Sequence, residues 1–130
     1  MPLRILIIDD EPDICAFLRD IAVDAGCEVV TANRAEEFKA AFADMKADVI
    51  LLDLTLPGTD GIELLHYMAE MKTQARILIV SGYDESIRRM AFMIGQARGL
   101  DMAGMLPKPL RVAELRKLLT QFMRDAGPHR

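Results

Sequence analysis

Five polar side chains in this sequence stand directly after apolar runs, and their types suggest a shared chemistry. Asp9 and Asp10 follow the first run, Asp53 the third, Ser81 the fourth and Lys108 the fifth. Three carboxylates in one crevice repel one another, which raises their pKa values unless a cation joins them. Oxygen ligands with room for water and phosphate suit Mg²⁺. A hydroxyl and an ammonium facing that ion would hold further oxygens of a phosphoryl group, so the set indicates phosphoryl transfer.

Each of these residues also has a simpler explanation. Acidic residues at a helix start favour the helix dipole, so Asp9 and Asp10 could be no more than a cap. Asp53 could be a turn residue, and a single Ser81 or Lys108 after a strand usually belongs to a solvated loop. These explanations weaken together if one topology places all five residues at the same edge of a sheet.

The alternation of apolar runs with helical periodicity predicts that topology. Buried strands are predicted over 3–8, 27–32, 48–52, 76–80 and 102–107, with helices over about 12–25, 35–45, 64–71, 84–98 and 112–124. Five strand–helix units in strict alternation predict an α/β fold with a doubly wound, five-stranded parallel sheet and helices on both faces. Pro107 cannot donate a ladder hydrogen bond, which places the fifth strand at an edge. The flavodoxin-like strand order 2-1-3-4-5 fits this placement.

The composition excludes several classes of protein. The chain has 130 residues, enough for one domain, and its hydrophobic fraction of 52% supports a substantial core. A net charge of -4 argues against direct binding of nucleic acid. Its apolar runs are far shorter than the roughly 20 residues of a membrane helix. Cys15 and Cys27 are expected to be buried thiols in a reducing cytosol rather than a disulfide.

The motifs and their order resemble the receiver domain of two-component response regulators. The matching segments cover residues 8–12, 51–54, 56–61, 81–82 and 108–110, and the resemblance spans essentially the whole chain. It implies a cytoplasmic receiver domain over 1–124, followed by a tail or the start of a linker over 125–130. It also implies a regulatory domain rather than an enzyme, one that assists only its own phosphorylation and dephosphorylation.

The resemblance implies a role for three residues in phosphoryl transfer. Asp53 would accept a phosphoryl group from a phosphohistidine on a sensor histidine kinase or a phosphotransfer protein. Ser81 would move inward and donate a hydrogen bond to one phosphoryl oxygen, and Lys108 would pair with another. The Lys108–Pro109 bond would be cis, an isomer that proline alone tolerates at small cost.

The resemblance also implies the ligands of Mg²⁺. The side chains of Asp10 and Asp53 would bind the ion directly, together with the backbone carbonyl of Thr55. Asp9 would act on the ion through water. No other cofactor is predicted.

The resemblance implies that phosphorylation acts through the face formed by the fourth helix, fifth strand and fifth helix. Its partner would be a downstream effector, an attached output domain or a second copy of the chain. Residues 97–110 resemble receivers joined to cyclic-di-GMP phosphodiesterase domains of the Glu-Ala-Leu type, which would make this chain one end of a longer protein. On the fourth helix, Met90 is expected in the core, and Met93, on the other side, is a candidate for a partner or dimer face.

Two features depart from the family pattern. Met105 stands where receivers usually carry Tyr or Phe, three residues before the lysine, so the coupling of Ser81 to the partner face must be built differently. Thr55 and Tyr83 occupy the positions thought to tune the lifetime of the phosphate. Neither offers a charge or an amide to orient an attacking water, which favours a longer-lived phosphate.

Three other functions compete with the phosphorylation switch. A phosphate-independent interaction module has only Met105 in its support. An aspartyl-phosphate phosphatase of the haloacid-dehalogenase type needs a second Asp two residues after Asp53, where Thr55 stands. A flavodoxin-like cofactor binder needs a phosphate cradle rich in Ser, Thr or Gly after the first strand, and the acidic residues there carry the wrong charge.

Overall fold

The computed structural model describes residues 2–56, 59–82 and 84–126, without the side chains of residues 56, 59, 60 and 126. Five strands form the main sheet: β1 (Arg4–Ile8), β2 (Glu28–Ala32), β3 (Val49–Leu52), β4 (Arg76–Ser81) and β5 (Asp101–Pro107). Five helices follow them in turn: α1 (Pro12–Asp24), α2 (Ala35–Asp44), α3 (Gly61–Glu70), α4 (Glu85–Ala97) and α5 (Val112–Ala126).

The sheet is parallel throughout, and its strand order is β2-β1-β3-β4-β5. The predicted fold class and strand order are therefore confirmed. β5 lies at an edge of the sheet, where the missing amide hydrogen of Pro107 leaves no neighbouring strand without a hydrogen bond. The register pairs Ile8 with both Ala32 and Leu52, and Ser81 with Pro107. The carboxyl ends of the strands consequently meet at one edge of the sheet.

The core consists of two layers, because alternate residues of each central strand point to opposite faces. Leu6 and Ile8 of β1 join the layer beneath α2, α3 and α4. Ile5 and Ile7 join the layer beneath α1 and α5. β1 and β3 are buried on both faces, which explains their nearly continuous apolar sequences.

The structure differs from the prediction in two respects. Met90 is 48% exposed, so its expected place in the core is wrong. The buried residues of α4 are Ala91 and Gly95. A Cβ on Gly95 would overlap the sulfur of Met102, so α4 lies very close to β5 at this point. Only a narrow strip of the helix faces the sheet, and Met90 lies outside it. A short antiparallel pairing of Thr55–Leu56 with Thr59–Asp60 was also not predicted.

The expectation that the two cysteines are buried and unpaired with each other is confirmed. Cys15 and Cys27 are free and buried. Among the described residues, no helix combines the length and apolarity required to cross a bilayer. α5 continues to Ala126, two residues beyond the predicted end of the domain, and the division into a domain and a tail stays a prediction.

Candidate functional site

Backbone hydrogen bonds at the carboxyl edge of the sheet bring the predicted residues together. The Asp9 amide donates to the Ala32 carbonyl at 3.1 Å, and the Asp53 amide donates to the Ile8 carbonyl at 3.0 Å. These bonds continue the parallel ladders for one residue beyond the strands. The main chains of Asp9 and Asp53 are therefore held by the same kind of bond as the strands that precede them.

The three aspartates form a cluster that fits a divalent cation. Asp9, Asp10 and Asp53 each offer a carboxylate oxygen, and these oxygens all lie within 4.8 Å of one another. Asp9 and Asp53 are only 1% and 3% exposed, whereas Asp10 is partly exposed. Clustered carboxylate oxygens with an opening to solvent on one side are the donor set that a hard, partly hydrated cation such as Mg²⁺ requires.

Lys108 supplies the positive charge within this cluster. Its Nζ donates to Asp9 Oδ2 at 2.7 Å and lies 3.4 Å from Asp53 Oδ2. Burial alone would lower the pKa of Lys108, but the hydrogen bond and charge of Asp9 and the charge of Asp53 outweigh it and raise the pKa. The ammonium therefore stays protonated beside the two buried carboxylates.

Asp53 has an altered pKa in this environment. Burial is the main cause that raises its pKa to about 6 from an ordinary 3.8. The Thr55 amide, which donates to Asp53 Oδ1 at 3.1 Å, and the Lys108 charge lower the pKa, whereas the charge of Asp9 raises it. Repulsion between the carboxylates, expected from the sequence, therefore contributes less than burial.

Ser81 lies buried at the end of β4, close to the start of α4. Its carbonyl accepts the Lys108 amide at 3.1 Å and a longer bond of 3.5 Å from Arg88 Nη1. α4 begins after Asp84, whose Oδ1 accepts the Ile87 amide as an N-cap. Tyr83, to which the prediction of phosphate lifetime refers, lies outside the described residues.

The structure brings together Asp9, Asp10, Asp53 and Lys108 as predicted, with Ser81 at the neighbouring strand end. The Lys108–Pro109 bond is cis, as the resemblance implies. Thr55 contacts Asp53 through its amide, and the role of its carbonyl stays a prediction. Positions 57 and 58 of the matching segment 56–61 lie outside the described residues.

Three contributors to the site were not predicted from the sequence. Asn33 and Cys15 both donate to the Asp9 carbonyl, although Cys15 was expected only as a buried thiol. Burial, with a smaller contribution from Asp9, raises the pKa of Cys15 to about 11, so the thiol keeps its proton. Gly61 lies so close to the main chain that a Cβ there would stand 2.8 Å from the Asp53 carbonyl oxygen. Its place in segment 56–61 was the only signal that the sequence offered for it.

The chain is similar to curated response regulators over most of its own length. It is 29% identical to transcriptional regulatory protein TrcR of Mycobacterium tuberculosis over 97% of this chain and 47% of TrcR. It is 31% identical to response regulator MprA of Mycobacterium sp. (strain KMS) over 98% of this chain and 55% of MprA. The chain thus spans about half the length of these relatives. Sporulation initiation phosphotransferase F of Bacillus subtilis is 27% identical, over 92% of this chain and 93% of that protein.

Solved structures agree with this relationship. A response regulator from Colwellia psychrerythraea has 30% identity and a TM-score of 0.79, covering 93% of this chain and 96% of that one. Response regulator TrrA from Thermotoga maritima, in complex with Mg(2+)-BeF, has 25% identity and a TM-score of 0.77, covering 93% of this chain and 99% of that one. The model of the response regulator receiver domain family matches residues 5–120. The chain therefore belongs to the receiver domain family of two-component response regulators.

Proposed function

We propose that this receiver domain is switched by phosphorylation of Asp53, with a phosphohistidine on a sensor histidine kinase or a phosphotransfer protein as the donor. The observation that carries the proposal is the position of the Asp53 carboxylate: it belongs to the acidic cluster, and its Oδ2 lies 3.4 Å from Lys108 Nζ. One edge of the sheet then carries the three groups that phosphoryl transfer requires: a nucleophilic oxygen, further carboxylate oxygens that can bind a metal ion, and the ammonium group of a lysine.

In the proposed reaction, a carboxylate oxygen of Asp53 forms a bond to phosphorus while the bond from phosphorus to the histidine nitrogen breaks. The electron pair of that bond returns to the imidazole. The Lys108 ammonium pairs with a phosphoryl oxygen, and the Ser81 hydroxyl moves inward to donate a hydrogen bond to another. Positioning and electrostatic stabilisation by these residues supply most of the rate enhancement.

Mg²⁺ fits the acidic cluster and would be held by the side chains of Asp10 and Asp53, by the Thr55 carbonyl and, through water, by Asp9. When bound, it neutralises negative charge on the phosphoryl group during transfer. The clustered oxygens and their opening to solvent support this assignment.

Intact-mass spectrometry tests the acceptor. After incubation with Mg²⁺ and acetyl phosphate, the wild-type chain should gain one phosphoryl group and the Asp53→Asn variant none. No gain by the folded wild type would favour the phosphate-independent module. Repeated turnover of a phosphomonoester would instead favour the phosphatase, whereas we expect a regulatory domain that assists only its own phosphorylation and dephosphorylation.

Removal of Asp10 tests the metal assignment. Asp10→Ala should raise the melting temperature without metal, because like-charge repulsion in the cluster decreases. The same variant should lose the Mg²⁺-dependent rise in melting temperature, because a direct ligand is gone. Thermal unfolding monitored by circular dichroism with EDTA or Mg²⁺ measures both effects. A Mg²⁺-dependent rise as large as in the wild type would contradict a direct role for Asp10.

The output is proposed to act through α4, β5 and α5. On α4, Met93 is 60% exposed and Met90 is 48% exposed. The two residues are three positions apart and therefore neighbours on the helix surface, not on opposite sides as expected. Together they offer an adaptable apolar surface to an effector, an attached output domain or a second copy of the chain. We expect a cytoplasmic domain over 1–124 with a tail or linker over 125–130. Attachment to a cyclic-di-GMP phosphodiesterase domain stays a prediction from residues 97–110.

A further inference from the structure

The carboxylate of Asp9 is held at both oxygens. Oδ1 accepts the Glu11 amide at 3.0 Å, and Oδ2 accepts the Lys108 ammonium at 2.7 Å. These two bonds fix the orientation of one buried carboxylate of the acidic cluster. The position of these two oxygens also depends on the main chain of Asp9, so the main chain must be fixed if the carboxylate is to stay in place.

The main chain of Asp9 is fixed by two side chains. Its carbonyl accepts Asn33 Nδ2 at 3.0 Å and Cys15 Sγ at 3.3 Å. That carbonyl belongs to the peptide bond between Asp9 and Asp10, and a peptide unit is planar. A donor that holds the carbonyl therefore orients the whole plane, from which both acidic side chains project.

Asn33 is itself held in place. Its main-chain amide donates to Glu37 Oε1 at 2.8 Å, which ties it to the first turn of α2. Its side-chain amide also lies 3.3 Å from Cys15 Sγ. Asn33 is thus connected to α1, α2 and the acidic cluster at once, although it follows an edge strand that contributes no predicted site residue.

We infer that Asn33 is a positioning residue that orients the Asp9–Asp10 peptide, and through it both carboxylates, for Mg²⁺. This inference rests on the proposed function. Groups that orient metal ligands typically change metal affinity about 10- to 100-fold when they are removed. Asn33→Ala should therefore weaken Mg²⁺ binding about tenfold. Cys15→Ala should have a smaller effect, because a thiol is a weak donor.

The first measurement is Mg²⁺ affinity by isothermal titration calorimetry, well below the melting temperature. Wild type is compared with Asn33→Ala, Cys15→Ala and the matched control Gln74→Ala, which removes a side-chain amide from the cavity at the opposite end of the sheet. Asn33→Ala should weaken binding and Gln74→Ala should not. A Kd for Asn33→Ala within about twofold of wild type, or equal weakening by Gln74→Ala, would overturn the inference.

A second measurement needs no metal. Hydrogen exchange of the Glu11 amide, followed by NMR in EDTA, reports whether Asp9 Oδ1 still accepts that proton. Exchange should be faster in Asn33→Ala than in wild type and Gln74→Ala, and unchanged exchange would overturn the inference. If wild type fails to bind Mg²⁺, the proposed function fails, and this exchange rate still decides whether Asn33 positions Asp9. A role in folding alone would lower the metal-free melting temperature and leave both readouts unchanged.

Discussion

At the scale of single residues, Asp53 links the proposed chemistry of the site to the stability of the domain. Its carboxyl is 3% exposed, and burial raises its pKa to about 6. Removing a charge from water is costly, and one ammonium shared with Asp9 compensates only in part. The acidic cluster should therefore be a source of instability until a cation binds, which connects the chemistry of the site to the folding of the chain.

Asp53→Asn should stabilise the metal-free protein at pH 7.5 and have little effect near pH 4. The pKa is about 6 in the folded chain and an ordinary 3.8 when unfolded, so the folded state holds more protons between these values. The free energy of unfolding consequently falls as pH rises from about 4 to 6 and stays lowered above. The expected gain for Asp53→Asn at pH 7.5 is about 1 to 3 kcal/mol. Urea unfolding in EDTA at both pH values measures it.

The matched control for this prediction is Asp20→Asn, which changes an exposed carboxylate on α1. Exposed charges contribute little to stability, so this variant should behave like wild type at both pH values. A gain for Asp53→Asn that is equal at pH 4 and pH 7.5 would show that ionisation of the buried carboxyl is not its cause.

The sequence predicts the acidic cluster and Lys108 well because their positions follow from topology alone. A polar residue directly after a buried parallel strand has nowhere to lie except at the carboxyl edge. Asn33 and Cys15 could not be found in this way, because their contacts with the Asp9 carbonyl depend on how α1 and β2 approach each other. No spacing in the sequence encodes that approach.

At the scale of elements, the start of α3 is fitted against the chain that carries Asp53. The Gly61 amide donates to the Leu54 carbonyl at 3.0 Å. A Cβ at Gly61 would lie 2.7 Å from the Leu54 Cα and 2.8 Å from the Asp53 carbonyl oxygen. Both atoms belong to the backbone, so a side chain could be accommodated only by moving α3 or the Asp53 main chain.

Gly61→Ala should therefore lower the free energy of unfolding by about 1 to 3 kcal/mol, the usual cost of overpacking. The better helix propensity of alanine opposes this effect by less than about 1 kcal/mol. Gly82→Ala is the matched control, because a Cβ there meets nothing within 4 Å, and it should stay within about 0.5 kcal/mol of wild type. Urea unfolding monitored by circular dichroism compares them. Equal stability of the two variants would contradict the close approach of α3.

Element types were more predictable than the contacts of single helices. The strands could be read from nearly continuous apolar runs because both faces of a parallel sheet are covered. The position of Met90 could not, because helical spacing allowed it on the same side as Ala91. The close contact of α4 with β5 at Gly95 depends on the tertiary structure, and it buries only Ala91 and Gly95 of this helix.

At the scale of the whole molecule, Lys108 and Ser81 connect the acidic cluster with β5 and α4 of the proposed partner face. The Lys108 amide donates to the Ser81 carbonyl, so the residue that follows β5 is attached to the last residue of β4. Gly95 of α4 packs directly on Met102 of β5. Met105 is partly buried and packs against the core layer that contains Met102. We therefore expect movement at Ser81 to reach α4 through backbone and packing contacts, without an aromatic ring at position 105.

If this connection exposes a dimer face, phosphorylation should cause self-association that depends on Met93. We expect acetyl phosphate and Mg²⁺ to shift the wild-type chain from monomer to dimer in size-exclusion chromatography with light scattering. Met93→Glu would place a charge in the apolar interface and should weaken the phosphorylated dimer about tenfold or more.

Met71→Glu is the matched control, since Met71 is 53% exposed but lines the cavity at the opposite end of the sheet. Equal dimerisation by Met93→Glu and wild type would exclude this part of α4 from the interface. A phosphorylated wild type that stays monomeric would show that phosphorylation does not favour a dimer. The exposed methionines would then be a surface for a different partner, because phosphorylation can shift only an equilibrium whose two states differ in their contacts with the phosphoryl group.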